Sequence, residues 1–350
     1  MRMPSSTADT PVADWLAGIE ESFVEAAEAE AIEHPIVLTG AQVLLQVAGA
    51  PMFDRLAPAF GHLVDRSSGE QPALTLRVWD SAGASTTPPL PSVPPGPRRT
   101  VYYSAEGSLQ VAYQPGLHLL SALDSERHLG WFWCARAEVL PYWESSAPFR
   151  QILHWWLASR NMLLLHGAAV GNADGGVLLV GRGGSGKSTS ALACLESELL
   201  YAGDDYVAVR DHGEPAVFSL YCSGKLEPNH ATRLQHLPEP TIEGDGSEDE
   251  KAVFYVQERY PERTCESFPL RAVLVPGIGG STTRILPLEG GAALRALAPS
   301  TLLQLHPAEP EAFRRMARLL ARVPAFAFEL GPDIRAIPAT IDRFLEELPA

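Results

Sequence analysis

At 350 residues the chain is long for one domain and sufficient for two, and with 46% hydrophobic and 20% charged residues it can bury ordinary cores. Its formal net charge of −15 argues against sequence-independent nucleic-acid binding and against docking on anionic lipid. No run reaches the roughly 20 apolar residues of a membrane span, the first residues lack an apolar core of signal-peptide length, and the four cysteines, Cys134, Cys194, Cys222 and Cys265, show neither CxxC nor metal-ligand spacing; a cytoplasmic protein with reduced structural thiols is expected.

Val12, Trp15, Leu16, Ile19, Phe23 and Val24 recur at helical spacing and predict an amphipathic helix over 11–33. Strand-like runs follow at 36–39, 42–47, 73–79, 100–104 and 108–113. A helical stretch, PMFDRLAPAFGHLVDR, lies between the second and third, with Pro51 near its start. Short strands mixed with one or two helices predict a small α+β domain over 1–144, for substrate recognition or oligomerisation. Within it GASTTPPLPSVPPGPRR, residues 83–99, holds six prolines and reads as an extended surface loop.

Ser145, Ser146 and Pro148 read as a helix start, and FRQILHWWLASR continues it with Phe149, Ile152, Leu153 and Trp156 on a buried face. The second domain is placed at 145–350. From Met162 the pattern is strand, turn, strand, phosphate loop, helix, strand. The turn GNADGG predicts that 162–170 and 176–180 run antiparallel, which is not the βαβ start of a dinucleotide fold. A carboxylate-rich segment, EPTIEGDGSEDEK at 239–251, lacks calcium-loop spacing and reads as a solvated, mobile loop. The tail reads as helix, strand, short loop, helix.

The stretch GRGGSGKS matches G-x-x-x-x-G-K-[ST]. Gly181, Gly183, Gly184 and Gly186, with Ser185 between the last two, let the backbone curl so that N–H groups converge on phosphate oxygens. Lys187 supplies a point charge near the β- and γ-phosphates, Ser188 a hydroxyl for Mg²⁺, and Thr189 follows in the first turn of a helix expected over 187–199. No LSGGQ-like or NKxD sequence is present, which leaves transporter-type ATPases and GTPases without their marks.

An apolar strand at LLYAG ends in Asp204 and Asp205, close enough in sequence to return to the phosphate loop. Two adjacent carboxylates can divide labour, one holding Mg²⁺ and one accepting a proton from an incoming hydroxyl. His166, on the first strand of the hairpin, can hydrogen-bond an Asp or a phosphate, or be a satisfied core histidine. Lys225 or Arg284 can offer a second cation to the transferring phosphoryl group, with Lys251 a third candidate; each is otherwise a surface cation.

Together LLHG, GRGGSGKS and AGDDYVAV resemble the catalytic domain of HPr kinase/phosphorylase, a bacterial protein serine kinase whose nucleotide fold is related to phosphoenolpyruvate carboxykinase. Within that group the chain looks more like divergent kinase-only proteins that tailor ribosomal peptides, such as lasso-peptide precursors, which share a segment like SLYCSGKLEPN and a TR pair, here Thr283-Arg284. The resemblance implies an α/β (α+β) P-loop kinase domain behind the N-terminal domain, and transfer of the ATP γ-phosphoryl to a serine of a protein or peptide. Under it Lys187 holds phosphates, Ser188 and Asp204 the metal, and Asp205 is the base, the two aspartates being exchangeable. His166 takes the family's histidine position. A homo-oligomer stays open. The glycine- and arginine-containing signature that serves phosphorolysis is not matched, nor does residue 1–144 look like that family's N-terminal domain. Two other readings use the same residues: a kinase of a small hydroxylated metabolite, and a nucleotide-sensing module without transfer.

Overall fold

The computed structural model describes residues 12–65, 71–97, 100–227, 234, 236–242, 251–307 and 310–349. The chain divides into two compact units, one reaching to Pro58 and taking Val64–Ser159, the other taking Ala59–Leu63 and everything from Arg160.

The first unit is built on a seven-stranded sheet: β1 (Ala31–Leu38), β2 (Ala41–Ala48), β3 (Leu74–Asp80), β4 (Tyr102–Glu106), β5 (Leu109–Gln114), β6 (Leu119–Asp124) and β7 (Leu129–Cys134), in the order β1-β2-β3-β7-β6-β5-β4. Helix α1 (Val12–Ala27) lays Ile19, Phe23 and Ala26 against Trp79, Trp131 and Trp133. It ends six residues before the sequence reading, because Ala31 onward is needed as the edge strand paired with β2. Helix α2 (Ala50–Leu56) runs into a 3-10 turn, Ala57–Leu63. The chain then forms a short turn α3 (Ser81–Ala84). The proline-rich segment after it is not simply solvated: Pro89 accepts a hydrogen bond from Trp15 Nε1 at 2.9 Å, and Leu90 and Val93 pack on the α1 face. Strands β6 and β7 are buried on both faces, so LLSALD and LGWFWC show no regular apolar–polar alternation and escape a period-2 search.

Helices α4 (Tyr142–Ser146) and α5 (Arg150–Ser159) belong to this unit, so the boundary falls at 159/160 rather than near 145. The reason is packing. Ile152 of α5 sits directly over Gly130 of β7, where any Cβ would collide with Leu76 and crowd Ile152.

The second unit holds an eight-stranded sheet: β8 (Met162–Asn172), β9 (Gly175–Val180), β10 (Leu200–Gly203), β11 (Tyr206–Arg210), β12 (Ala216–Phe218), β15 (Ser267–Ile278), β16 (Arg284–Pro287) and β17 (Ala325–Leu330). A separate ribbon pairs β13 (Ser223–Leu226) with β14 (Ala252–Tyr255). The expected hairpin is present: β8 and β9 are antiparallel, and Asp174 N donates to Asn172 Oδ1 at 3.0 Å to form the turn. On its other side β9 runs parallel to β15, and β15 parallel to β17.

Side chains alternate between two cores. Ala168, Val170, Val177 and Leu179 face helix α6 (Lys187–Ala193) and helix α9 (Ala336–Glu347). Ala169, Leu178 and Val180 face α7 (Gly290–Leu302) and α8 (Pro310–Arg322), which supply Leu297, Met316 and Leu319. Helix α6 is shorter than the expected 187–199 and tightens into a 3-10 turn, Cys194–Glu196. Of the carboxylate-rich segment, residues 243–250 lie outside the described residues. No helix among the described residues is long and apolar enough to cross a membrane.

Candidate functional site

The loop that follows β9 turns sharply because Gly181, Gly184 and Gly186 adopt φ of 150°, 74° and 104°, which L side chains rarely occupy. A Cβ at Gly186 would also strike Leu330 Cδ1. Glycine at 186 is therefore required twice over, by dihedral and by close approach. Lys187 opens α6 and is buried; its Nζ donates to the carbonyls of Gly181 at 2.8 Å and Arg182 at 3.1 Å, so the loop curls round its own cation. Burial pushes the Lys187 ammonium below its ordinary range, Asp204 and Asp205 oppose that, and Lys251 and Lys225 reinforce it by repulsion.

Sheet register brings the flanks to this loop. Gly167 of β8 pairs with Val180, the last residue of β9, so His166 lies level with the loop's first residue. Tyr206 of β11 pairs with His166, and Gly203, at the end of β10, pairs with Ala169. The two aspartates between β10 and β11 are thus carried to the edge of the sheet where β9 releases the loop. Asp205 takes φ of +70°, which Asp tolerates better than most residues, and Gly167 N donates to its carbonyl at 3.0 Å.

The two carboxylates have different company. Asp204 is fully buried; Oδ1 accepts from Ser188 Oγ at 3.0 Å and Oδ2 from the Lys225 backbone N–H at 3.2 Å. Burial, helped by the Asp205 charge, raises its pKa, while Lys225 and the Ser188 hydroxyl pull the other way. Asp205 Oδ1 lies 3.2 Å from His166 Nε2, and Oδ2 accepts from Lys225 Nζ at 2.6 Å. Burial would raise this carboxyl too, but the Lys225 ammonium and the His166 hydrogen bond outweigh it and hold it well below the usual range.

Of the residues singled out in the sequence, the structure gathers Lys187, Ser188, Asp204, Asp205, His166 and Lys225. Arg284 is not brought to the aspartates. It lies on β16, the far edge beyond β15 and β17, exposed and paired with Glu329 at 2.6 Å. Thr189 is half-buried on α6, and Gly183 and Gly184 are exposed at the loop crest. Lys251 stands just before β14, opposite the strand that carries Lys225.

Sequence reasoning missed the residues that steady His166. Its backbone N–H donates to Thr301 Oγ1 at 3.1 Å, and its ring lies 5.3 Å from that of Tyr206, whose hydroxyl donates to Gln304 Oε1. Nothing in the spacing of Thr301 or Gln304 signals this, because α7 arrives from more than a hundred residues away.

Among the described residues no three His, Cys, Asp or Glu side chains converge as a metal cage. The Ser188–Asp204 pair is instead one hydroxyl and one carboxylate at the start of a helix. That is a fit for Mg²⁺, which keeps waters and phosphate oxygens as its other ligands. The unpartnered, buried Ser185 Oγ in the loop is a further group suited to an oxygen-rich ligand.

No family model matches the chain, and no curated protein does. Among solved structures, the Hpr(Ser) kinase/phosphatase from Coxiella burnetii is similar over 52% of this chain and 93% of its own, with 10% sequence identity and a TM-score of 0.27. That likeness is too slight to fix residue correspondences.

Proposed function

We propose that the chain is an ATP- and Mg²⁺-dependent kinase that transfers the γ-phosphoryl group to a hydroxyl, the acceptor being a serine of a protein or peptide as the sequence resemblance implies. The observation that carries the reading is the division of the aspartate pair. Asp204 is joined to the Ser188 hydroxyl at the head of α6, and Asp205 to His166 and Lys225, with buried Lys187 between loop and helix.

Loop N–H groups, the positive end of α6 and Lys187 would hold the phosphates. Mg²⁺, held by Ser188 and Asp204, would supply charge neutralisation at the β- and γ-phosphates. Asp205 would receive the acceptor's hydroxyl proton as the acceptor oxygen bonds to the γ-phosphorus. The bond from that phosphorus to the bridging oxygen breaks, and ADP leaves with the electron pair. A carboxylate held ionised by Lys225 is a weak base, which suits a loose transition state in which the proton moves late. Lys225 would also bring positive charge toward the equatorial oxygens. His166, fixed by Thr301 and Asp205, orients the carboxylate.

The test is transfer of labelled γ-phosphate from Mg-ATP into a lysate of the source cell, with Lys187→Ala and Asp205→Asn run in parallel. A labelled species made only by wild type supports the reading, and mass spectrometry of it names the residue modified. Bound ATP with label in no acceptor contradicts it.

A further inference from the structure

The phosphate loop sits between two unlike wings. Toward β8 and β10 lie the aspartates, His166 and Lys225. Toward β15 and β17 runs a glycine-rich strip, GIGGSTT at 277–283, and the charged pair beside it, Arg284 and Glu329, is closed on itself. Strands β9, β15 and β17 run parallel, so the loop after Val180, Ile278 at the end of β15 and Leu330 at the end of β17 share one carboxyl edge, the edge at which open sheets of this kind receive ligands.

Ile278 pairs with Leu330 across the parallel ladder, which points both side chains to one face. Leu330 is buried under Gly186 and belongs to the core on the α6 side. Ile278 therefore projects on the phosphate-loop side as well, and its Cγ1 lies 3.8 Å from where a Cβ on Gly186 would be. Yet Ile278 is 70% exposed. An isoleucine held beside a phosphate loop and left in water is uncovered at a fixed place, not by fraying. Gly280 N donates to Leu330 O at 3.2 Å, and Gly331 N to Thr283 Oγ1 at 3.1 Å, so the strip is pinned at both ends. Gly277 and Gly279, its neighbours in sequence, carry no side chain that could fold over it, and nothing lies within 4 Å of their Cβ positions.

We infer that Ile278 and the glycine strip around it form the platform for the nucleoside end of the triphosphate, with the aromatic base lying on the isoleucine side chain. The inference rests on the phosphate-binding reading above. The metal and acceptor groups occupy the β8 wing, so a nucleotide whose γ-phosphate points at Asp205 extends its base toward β15. A flat heterocycle covers an apolar branched side chain without needing side-chain donors, and the glycines admit its close approach. No charged side chain on this strip is required to read the base.

The experiment is calorimetric binding, with Mg²⁺, of the non-hydrolysable ATP analogue AMP-PNP and of inorganic tripolyphosphate to wild type, Ile278→Ser, Ile278→Leu and Lys187→Ala. Ile278 is exposed, so its substitution leaves the core intact, and serine adds no charge beside the phosphate loop. The expected result is that Ile278→Ser weakens AMP-PNP about tenfold or more and leaves tripolyphosphate unchanged, while Ile278→Leu keeps the wild-type affinity. Equal AMP-PNP affinity in wild type and Ile278→Ser, with binding lost in Lys187→Ala, overturns the platform and leaves phosphate binding standing. Failure of wild type to bind either ligand overturns both.

Discussion

Among the described residues of the second unit two carboxylate–cation pairs are shielded from water, and they differ in kind. Asp211 is gripped by the Arg315 guanidinium through both oxygens, with Nε at 3.1 Å from Oδ2, while Arg315 also donates to Met162 O and Arg322 to Asp211 O. Every strong donor there ends on a fixed protein acceptor, and the pair ties α8 to the end of β11. Asp205 is paired instead with a lysine, a point charge on a flexible stem, and with a histidine whose Nδ1 is buried without a partner. The contrast shows that a buried ion pair is not by itself a site. What distinguishes Asp205 is a left-handed backbone, a second carboxylate bonded to a helix-start hydroxyl, and a glycine loop on the adjacent strand.

The sharpest break of that comparison is Lys187→Ala. Removing the loop's cation should lower phosphoryl transfer by about a thousandfold or more in a rate assay, with no loss of thermal stability beyond that of a repacked cavity. Asp205→Asn should lower the rate by on the order of a hundredfold or more, and it also leaves Lys225 buried without its partner charge. Asp211→Asn should do the reverse: a loss of about 3 kcal/mol in chemical denaturation, with the transfer rate per folded molecule unchanged.

The same residue gives a pH signature. Burial opposes ionisation of Asp211, but the hydrogen bond and charge of Arg315 win and lower its carboxyl in the folded state. A group depressed on folding contributes stability that is complete above its unfolded value of about 3.9 and is lost as pH falls through the folded value. The gap in unfolding midpoint between wild type and Asp211→Asn should therefore be constant near neutrality and shrink below about pH 4. Smallest of all, Arg284→Ala should change the transfer rate by less than about threefold, because the arginine is exposed and spent on Glu329 at the far edge of the sheet. A large drop there would put Arg284 back among the phosphoryl-binding cations.

Much of the second unit was legible in the sequence because its signals are local. The hairpin turn, the glycine loop, the helix start at Lys187 and the strand ending in Asp204 each lie within a few residues of their cause. The first unit was less legible: β6 and β7 are buried throughout and show no alternation, and the domain boundary moved because Ile152 packs over Gly130, a contact between residues with no sequence pattern in common. For the site, spacing brought out the aspartate pair but could not say which oxygen meets which donor. Lys225 stood level with Arg284, and Lys251 behind both, until β13 placed the Lys225 amide on Asp204 and its ammonium on Asp205. Thr301 and Gln304 carried no signal, since only the packing of α7 against β8 brings them to His166 and Tyr206.

The central claim is that the Asp205–Lys225 pair does chemistry whereas Asp211–Arg315 holds the fold. The most direct test measures unfolding free energy and γ-phosphoryl transfer together for two neutralised pairs, Asp205→Asn with Lys225→Met, and Asp211→Asn with Arg315→Met. Removing both charges of a buried pair restores most of the stability lost with one, so both double variants should be folded. The account predicts that the first is then inactive and the second retains the wild-type rate. A folded first variant that still transfers phosphate at the wild-type rate would contradict it.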